Sequence, residues 1–172
     1  MKKLFNIILL SALILPSCEK QDIYPGDSLE IYLLKDYKTV QGSAEIIKSS
    51  ITLENYPLVG YKDILGYDSA NYEFKISDTV AREIRNMTMP LAGTAFAVAI
   101  DKEVIYSGYF WTVLSSISCD WMVILTSNIS YLDPGLKIDL GYPGEINDLN
   151  LRDPRNDYRI IRLLRDDNKL IM

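Results

Sequence analysis

The chain has 172 residues, 48% hydrophobic and 24% charged, with 18 basic and 23 acidic side chains and a formal net charge of -5. That fits one globular domain, excludes a wholly disordered or collagen-like chain, and argues against nucleic acid as a partner. With no histidine and two cysteines, the histidine-based catalytic sets, histidine-ligated zinc and Cys-only clusters within one chain are excluded, and neither a metal nor a cofactor is expected.

Lys2 and Lys3 precede an apolar run from Leu4 to Leu15. The run is shorter than the about 17–25 residues of a membrane-spanning helix and has the layout of a secretory leader. It ends in Leu15-Pro16-Ser17-Cys18, which resembles a bacterial lipoprotein signal; a plain secretory leader with an incidental cysteine is the alternative. The resemblance implies cleavage after residue 17, lipid on Cys18 and a protein held in a Gram-negative envelope, on the outer membrane. Removing Lys2 and Lys3 would leave 16 of the 18 basic residues against 23 acidic ones, a formal charge of -7. The lipid, and not a basic face, would then attach this acidic chain to a bilayer. Residues 18–28 read as a tether and residues 29–172 as a single domain.

Leu29, Ile31, Leu33 and Leu34 open with a strand. Residues 41–54 are mixed, and Asp63 to Tyr67 read as a turn or a single helical turn. Tyr72, Phe74 and Ile76 alternate with charged residues, as a half-buried strand does. Val80, Ile84 and Met87 return at helical spacing behind the capping candidates Ser77 and Asp78, and Pro90 and Gly93 close that helix. Thr94 to Ile100 is an apolar strand, Asp101-Lys102 a tight connection, and Glu103 to Phe110 the paired strand. Cys119 to Thr126 is another strand, and Leu136, Ile138 and Leu140 alternate as the last. Arg155 to Arg165 is helical, with Ile160, Ile161 and Leu164 on one face. The expected fold is α+β: a small sheet with helices packed on one face, containing a ferredoxin-like β-α-β-β unit.

The stretch from Tyr72 to Tyr109 resembles the periplasmic head region of SecD, an accessory subunit of the bacterial Sec translocase. Tyr72-Glu73-Phe74, the helix around Ala81 to Thr88 and the hairpin from Ala95 to Ile105 carry the likeness. It implies a local fold and not translocation. The whole chain also resembles small Bacteroidetes lipoproteins of unassigned function, and Glu19 and Asp22 behind Cys18 resemble their surface-export signals.

Tyr106, Tyr109, Phe110 and Trp111 crowd the exit of the hairpin, with Trp121 in the next strand. Such rings either fill the layer between sheet and helices or anchor a partner; the first four are the candidate binding residues. Arg155, Arg159 and Arg162 recur at spacings of four and three, either as a solvated helix face or as a basic strip for an acidic partner or lipid headgroups. Asn147, Asp148, Asn150, Asp153, Asn156 and Asp157 could offer oxygens to calcium, without the EF-hand spacing. Cys119 reads as a small buried hydrophobe, a reactive thiol being the alternative. The expected role is non-catalytic: an envelope lipoprotein that binds or scaffolds a protein or glycan partner. The alternative is a carboxylate-dependent glycan hydrolase, which needs two converging acids in a cleft.

Overall fold

The computed structural model describes residues 28–144 and 153–171. Leader, Cys18 and tether lie outside the described residues, as do Asn147, Asp148 and Asn150. The strands are β1 (Leu29–Asp36), β2 (Thr52–Leu53), β3 (Ile64–Asp68), β4 (Glu73–Ile76), β5 (Thr94–Ile100), β6 (Glu103–Trp111), β7 (Cys119–Leu125), β8 (Gly135–Lys137), β9 (Asp139–Tyr142) and β10 (Leu170–Ile171). The helices are α1 (Asp78–Asn86) and α2 (Tyr158–Asp166).

Two mixed sheets form instead of the single sheet expected. The larger has the order β2-β1-β5-β6-β7-β9, with β6 and β7 parallel. The smaller runs β10-β3-β4-β8, with β10 and β3 parallel. The strand–helix–strand–strand order of residues 73–111 is present, but β4 belongs to the small sheet whereas β5 and β6 lie inside the large one. Helix α1 therefore carries the chain from one sheet to the other, and no ferredoxin-like unit closes on a single sheet.

Both sheets and both helices share one core. Ile31, Phe96, Phe110, Met122 and Ile124 enter it from the large sheet, Tyr67, Phe74, Ile76 and Leu136 from the small one. Helix α1 adds Val80, Ala81 and Ile84; α2 adds Ile160, Leu163 and Leu164. The other face of the large sheet is covered too. There Ala95, Tyr109, Trp111, Cys119 and Val123 pack under Ile46, Tyr37, Ala44 and Ile51 from the connection between β1 and β2. Burial on both faces explains why β5 reads Thr-Ala-Phe-Ala-Val-Ala-Ile with no polar alternation.

Local chemistry sets the connections. Asp101 and Lys102 both have positive φ, 52° and 65°, the backbone of a two-residue type I′ hairpin turn. Asp157 caps α2 by accepting the Arg159 N–H at 3.0 Å. Ser77 precedes α1 but its hydroxyl donates to Asp63 at 2.8 Å instead of capping the helix.

Three expected elements changed. Residues 64–68 form a strand, not a turn; a register irregularity between Ile64 and Gly66 interrupts the alternation that would have revealed it. The single last strand is two, since β8 joins the small sheet and β9 the large one, with buried Ile138 between them. Helix α2 begins at Tyr158, so Arg155 precedes it.

Candidate functional site

Strand β6 sends Tyr106 and Phe110 into the shared core and Tyr109 and Trp111 into the second cluster. All four are buried, so the expected aromatic docking face is part of the interior. The cause is the double cover over the large sheet, which leaves neither face of β6 to solvent. Among the described residues, the hydroxyl of Tyr106 and the indole nitrogens of Trp111 and Trp121 have no hydrogen-bond partner. Tyr109 donates to the carbonyl of Ala44 at 3.0 Å.

The arginines do not form a strip. Arg155 is buried, Arg159 half-buried and Arg162 exposed. Because it precedes α2, Arg155 turns inward. Its Nε and Nη2 clamp Asp153 at 2.9 and 2.7 Å, its Nη1 reaches the carbonyl of Ile138 at 2.7 Å, and its guanidinium stacks 3.6 Å from the ring centre of Tyr72. Tyr67 donates to the carbonyl of Arg155 at 2.8 Å. Tyr72 has a φ of 55°, a strained backbone for an aromatic residue; its carbonyl accepts the N–H of Ile138 at 3.0 Å. Arg159 pairs with Asp157 at 2.9 Å and Glu103 at 2.8 Å.

These pairs absorb the candidate calcium ligands that are described. Burial pushes the Asp153 carboxyl up, but the hydrogen bonds and charge of Arg155 outweigh it and hold it below the ordinary value. The hydrogen bond from Arg159 does the same for Asp157. Asn156 accepts from Tyr67 at 3.0 Å and donates to the Ser69 carbonyl at 3.0 Å. Among the described residues no cluster of three acidic or thiol groups could hold a metal ion. Cys119 is buried, and desolvation pushes its thiol up to about 11, opposite to the shift that activates a thiolate.

One hollow of about 620 Å³ opens beside the second cluster, lined by Thr39, Gln41, Gly42, Ser43, Ser118 and Asp120, with Val40 and Ala44. Its outer wall is a tight turn. Ser43 donates its N–H to the carbonyl of Val40 at 3.1 Å, and Gly42 between them takes a φ of 79°, the backbone glycine adopts at least cost. The sheet holds that wall at Ala44, whose N–H donates to Asp120 at 2.6 Å and whose carbonyl accepts from Tyr109. Hydroxyls, an amide and one carboxylate face the hollow. A two-carboxylate hydrolase mechanism requires a second acid about 5–9.5 Å away, and Asp120 is the single acid in this lining.

The end of the large sheet where β5 begins and β6 and β7 finish has a different character. Three connections meet there, residues 87–93, 112–118 and 126–134; their 23 residues hold one charge, Asp133, paired with Lys75 at 2.8 Å. Buried Ser115 ties the first two together by donating to the carbonyl of Leu91 at 2.6 Å. Thr126 joins the third by donating to the carbonyl of Trp111 at 3.2 Å. Leu91, Val113, Leu114, Tyr131 and Leu132 project from these loops, with 55%, 50%, 82%, 81% and 97% of their surface exposed. The sequence reading missed this end, although a signal was there. Residues 86–132 hold four charged side chains, Asp101, Lys102, Glu103 and Asp120; the β5–β6 hairpin carries the first three to the opposite end, and Asp120 lies at the start of β7, where residues 112–118 arrive after running back along the sheet.

Comparison with protein-family models, curated proteins and solved structures finds no match to this chain.

Proposed function

We propose that this chain is a non-catalytic lipoprotein of a Gram-negative outer membrane, anchored by lipid on Cys18, that binds a surface glycan in the hollow beside residues 39–44. The hollow carries the reading. Its volume of about 620 Å³ falls within the range of roughly 300–1,000 Å³ typical of ligand sites. Thr39, Gln41, Ser43, Ser118 and Asp120 supply both donors and acceptors to the hydroxyls of a sugar. None of the described residues that line it is basic, which favours a neutral polar ligand over an anion. The wall is fixed before ligand arrives, because Tyr109 and Asp120 hold Ala44 from both sides, and that lowers the ordering cost of binding.

Anchor and ligand are tested separately. Intact mass of the envelope-extracted protein should show cleavage before Cys18 and acyl chains on it, and Cys18→Ser should abolish both; an unprocessed, unacylated wild-type chain overturns the anchor. Calorimetric titration of the purified protein with oligosaccharides released from the outer membrane should show saturable binding, weakened about tenfold by Thr39→Val with Gln41→Ala. Absence of binding, or binding indifferent to those two changes, overturns the ligand site.

A further inference from the structure

We propose that the charge-poor end of the large sheet, with Leu91, Val113, Leu114, Tyr131 and Leu132 exposed, inserts into the outer layer of a lipid bilayer. This goes beyond the glycan reading and rests on the Cys18 anchor only for its choice of bilayer, the one that holds the lipid. Three observations select a bilayer over a protein as occupant. The first is charge: the 23 residues of the three connections hold one, Asp133, and it is paired with Lys75, in a chain that is 24% charged. Protein interfaces accept a charged rim, whereas charge is costly inside hydrocarbon. The second is shape. Five exposed apolar side chains project from three separate connections. A bilayer needs no complementary pocket, and attachment grows with each apolar group immersed.

The third is the rim. Arg85 lies 4.1 Å from the ring centre of Tyr131 and donates to the carbonyl of Ser130 at 2.8 Å. An exposed tyrosine backed by a guanidinium suits the headgroup layer, where aromatic rings concentrate and arginine meets phosphate.

The tether reaches. Ser28 sits at the opposite, charged end of the sheet, exchanging two hydrogen bonds with Asp101 at 2.9 and 3.1 Å. Nine residues lie between it and Cys18, and those ten steps along the chain span at most about 33–36 Å. The nine residues of β6 cover about 30 Å. An extended tether can therefore run the length of the sheet and place lipid and loops in the same bilayer, where the anchor supplies the effective concentration that a small apolar tip lacks alone.

The test uses full-length protein purified with its anchor and reconstituted into protein-free vesicles of phosphatidylethanolamine and phosphatidylglycerol. A fluorophore is attached at Leu114→Cys or, as the opposite-end control, at Lys102→Cys, both in a Cys119→Ala background. Nitroxide lipids should quench the label at 114 at least threefold more than the label at 102, and Leu132→Asp should remove the difference without moving the thermal midpoint. Equal, weak quenching at both positions in protein that floats with the vesicles keeps the anchor and overturns the tip. Shielding at 114 in native envelopes but not in protein-free vesicles overturns it in favour of a protein occupant. Protein that does not float overturns the anchor, and with it the choice of bilayer.

Discussion

The Nη1 of Arg155 donates a 2.7 Å hydrogen bond to the carbonyl of Ile138, the residue at which the chain leaves the small sheet and enters the large one. The same guanidinium holds Asp153 and lies on Tyr72. One side chain therefore joins the crossing point, the turn before β4 and the segment leading into α2.

Replacing Arg155 by Ala should lower the unfolding free energy by about 2–4 kcal/mol. The figure sits at or below that for breaking a fully buried pair, because Asp153 keeps about a third of its side chain in water. Arg155→Lys should recover less than half of the loss, since an ammonium can neither grip a carboxylate with two nitrogens nor stack flat on a ring. Urea unfolding followed by circular dichroism measures both. Equal midpoints for wild type and Arg155→Ala would contradict this role.

Acid should weaken the fold through the same contacts. Asp153 and Asp157 have carboxyls held below the ordinary value in the folded chain. Each therefore adds stability above the unfolded value, near pH 3.8, and loses it as the pH falls through the lowered one. The urea midpoint should stay level from about pH 6 to 5 and fall below about pH 4. Asp153→Asn with Asp157→Asn should start lower and fall less.

Two tyrosines should respond in opposite directions to loss of the hydroxyl. Tyr106 is buried with an unsatisfied Oη, so Tyr106→Phe should raise stability by about 1 kcal/mol. Tyr67 donates to the carbonyl of Arg155 and to Asn156, so Tyr67→Phe should cost about 1–2 kcal/mol. Thermal midpoints of the pair, measured side by side, decide it.

Gly108 sets how closely β6 and β7 approach. A methyl group there would sit 2.6 Å from the carbonyl oxygen of Met122 and 3.0 Å from the ring of Phe96. Backbone on the far side cannot yield cheaply, so Gly108→Ala should destabilise by about 2–3 kcal/mol. Gly144→Ala, which meets nothing within 4 Å, should stay within about 0.5 kcal/mol of wild type. Chemical denaturation of both checks the contrast.

What the sequence disclosed follows from where local rules suffice. The bounds of β5, the turn at Asp101-Lys102 and the helical spacing of Val80 and Ile84 are short-range properties, and the structure agrees with them. The alternation of Leu136, Ile138 and Leu140 was equally clear but misleading, since period two marks which face a side chain takes and not which sheet the strand joins. β3 was hidden because Gly66 and the register irregularity beside it erase that period. Arg155 matched the helical spacing of Arg159 and Arg162, although Asp157, two residues on, is the cap and the helix starts at Tyr158. For Tyr106, Tyr109, Phe110 and Trp111 residue type was uninformative. Tyr109 and Trp111 are buried because residues 37–51 fold back over the sheet, and Tyr106 and Phe110 because the small sheet and the helices close its other face, contacts remote in sequence. The charge-poor loops were visible as a gap in composition, but only topology gathers them at one end.

Strand β10 also fixes when the fold can be finished. The carbonyl of Lys169 accepts the N–H of Tyr67 at 2.8 Å, and Leu170 and Ile171 lie beside Tyr67 and Asp68. All strands of the large sheet have appeared by Tyr142, but the small sheet draws on residues 64–76, 135–137 and 170–171. A chain growing from its N-terminus, or threading through a channel in that direction, cannot seal the edge of β3 until Leu170 and Ile171 have emerged. Contacts this distant along the chain form slowly. Strand β10 thus acts as a built-in delay, and a chain cut short before Leu170 would be left with an open strand edge.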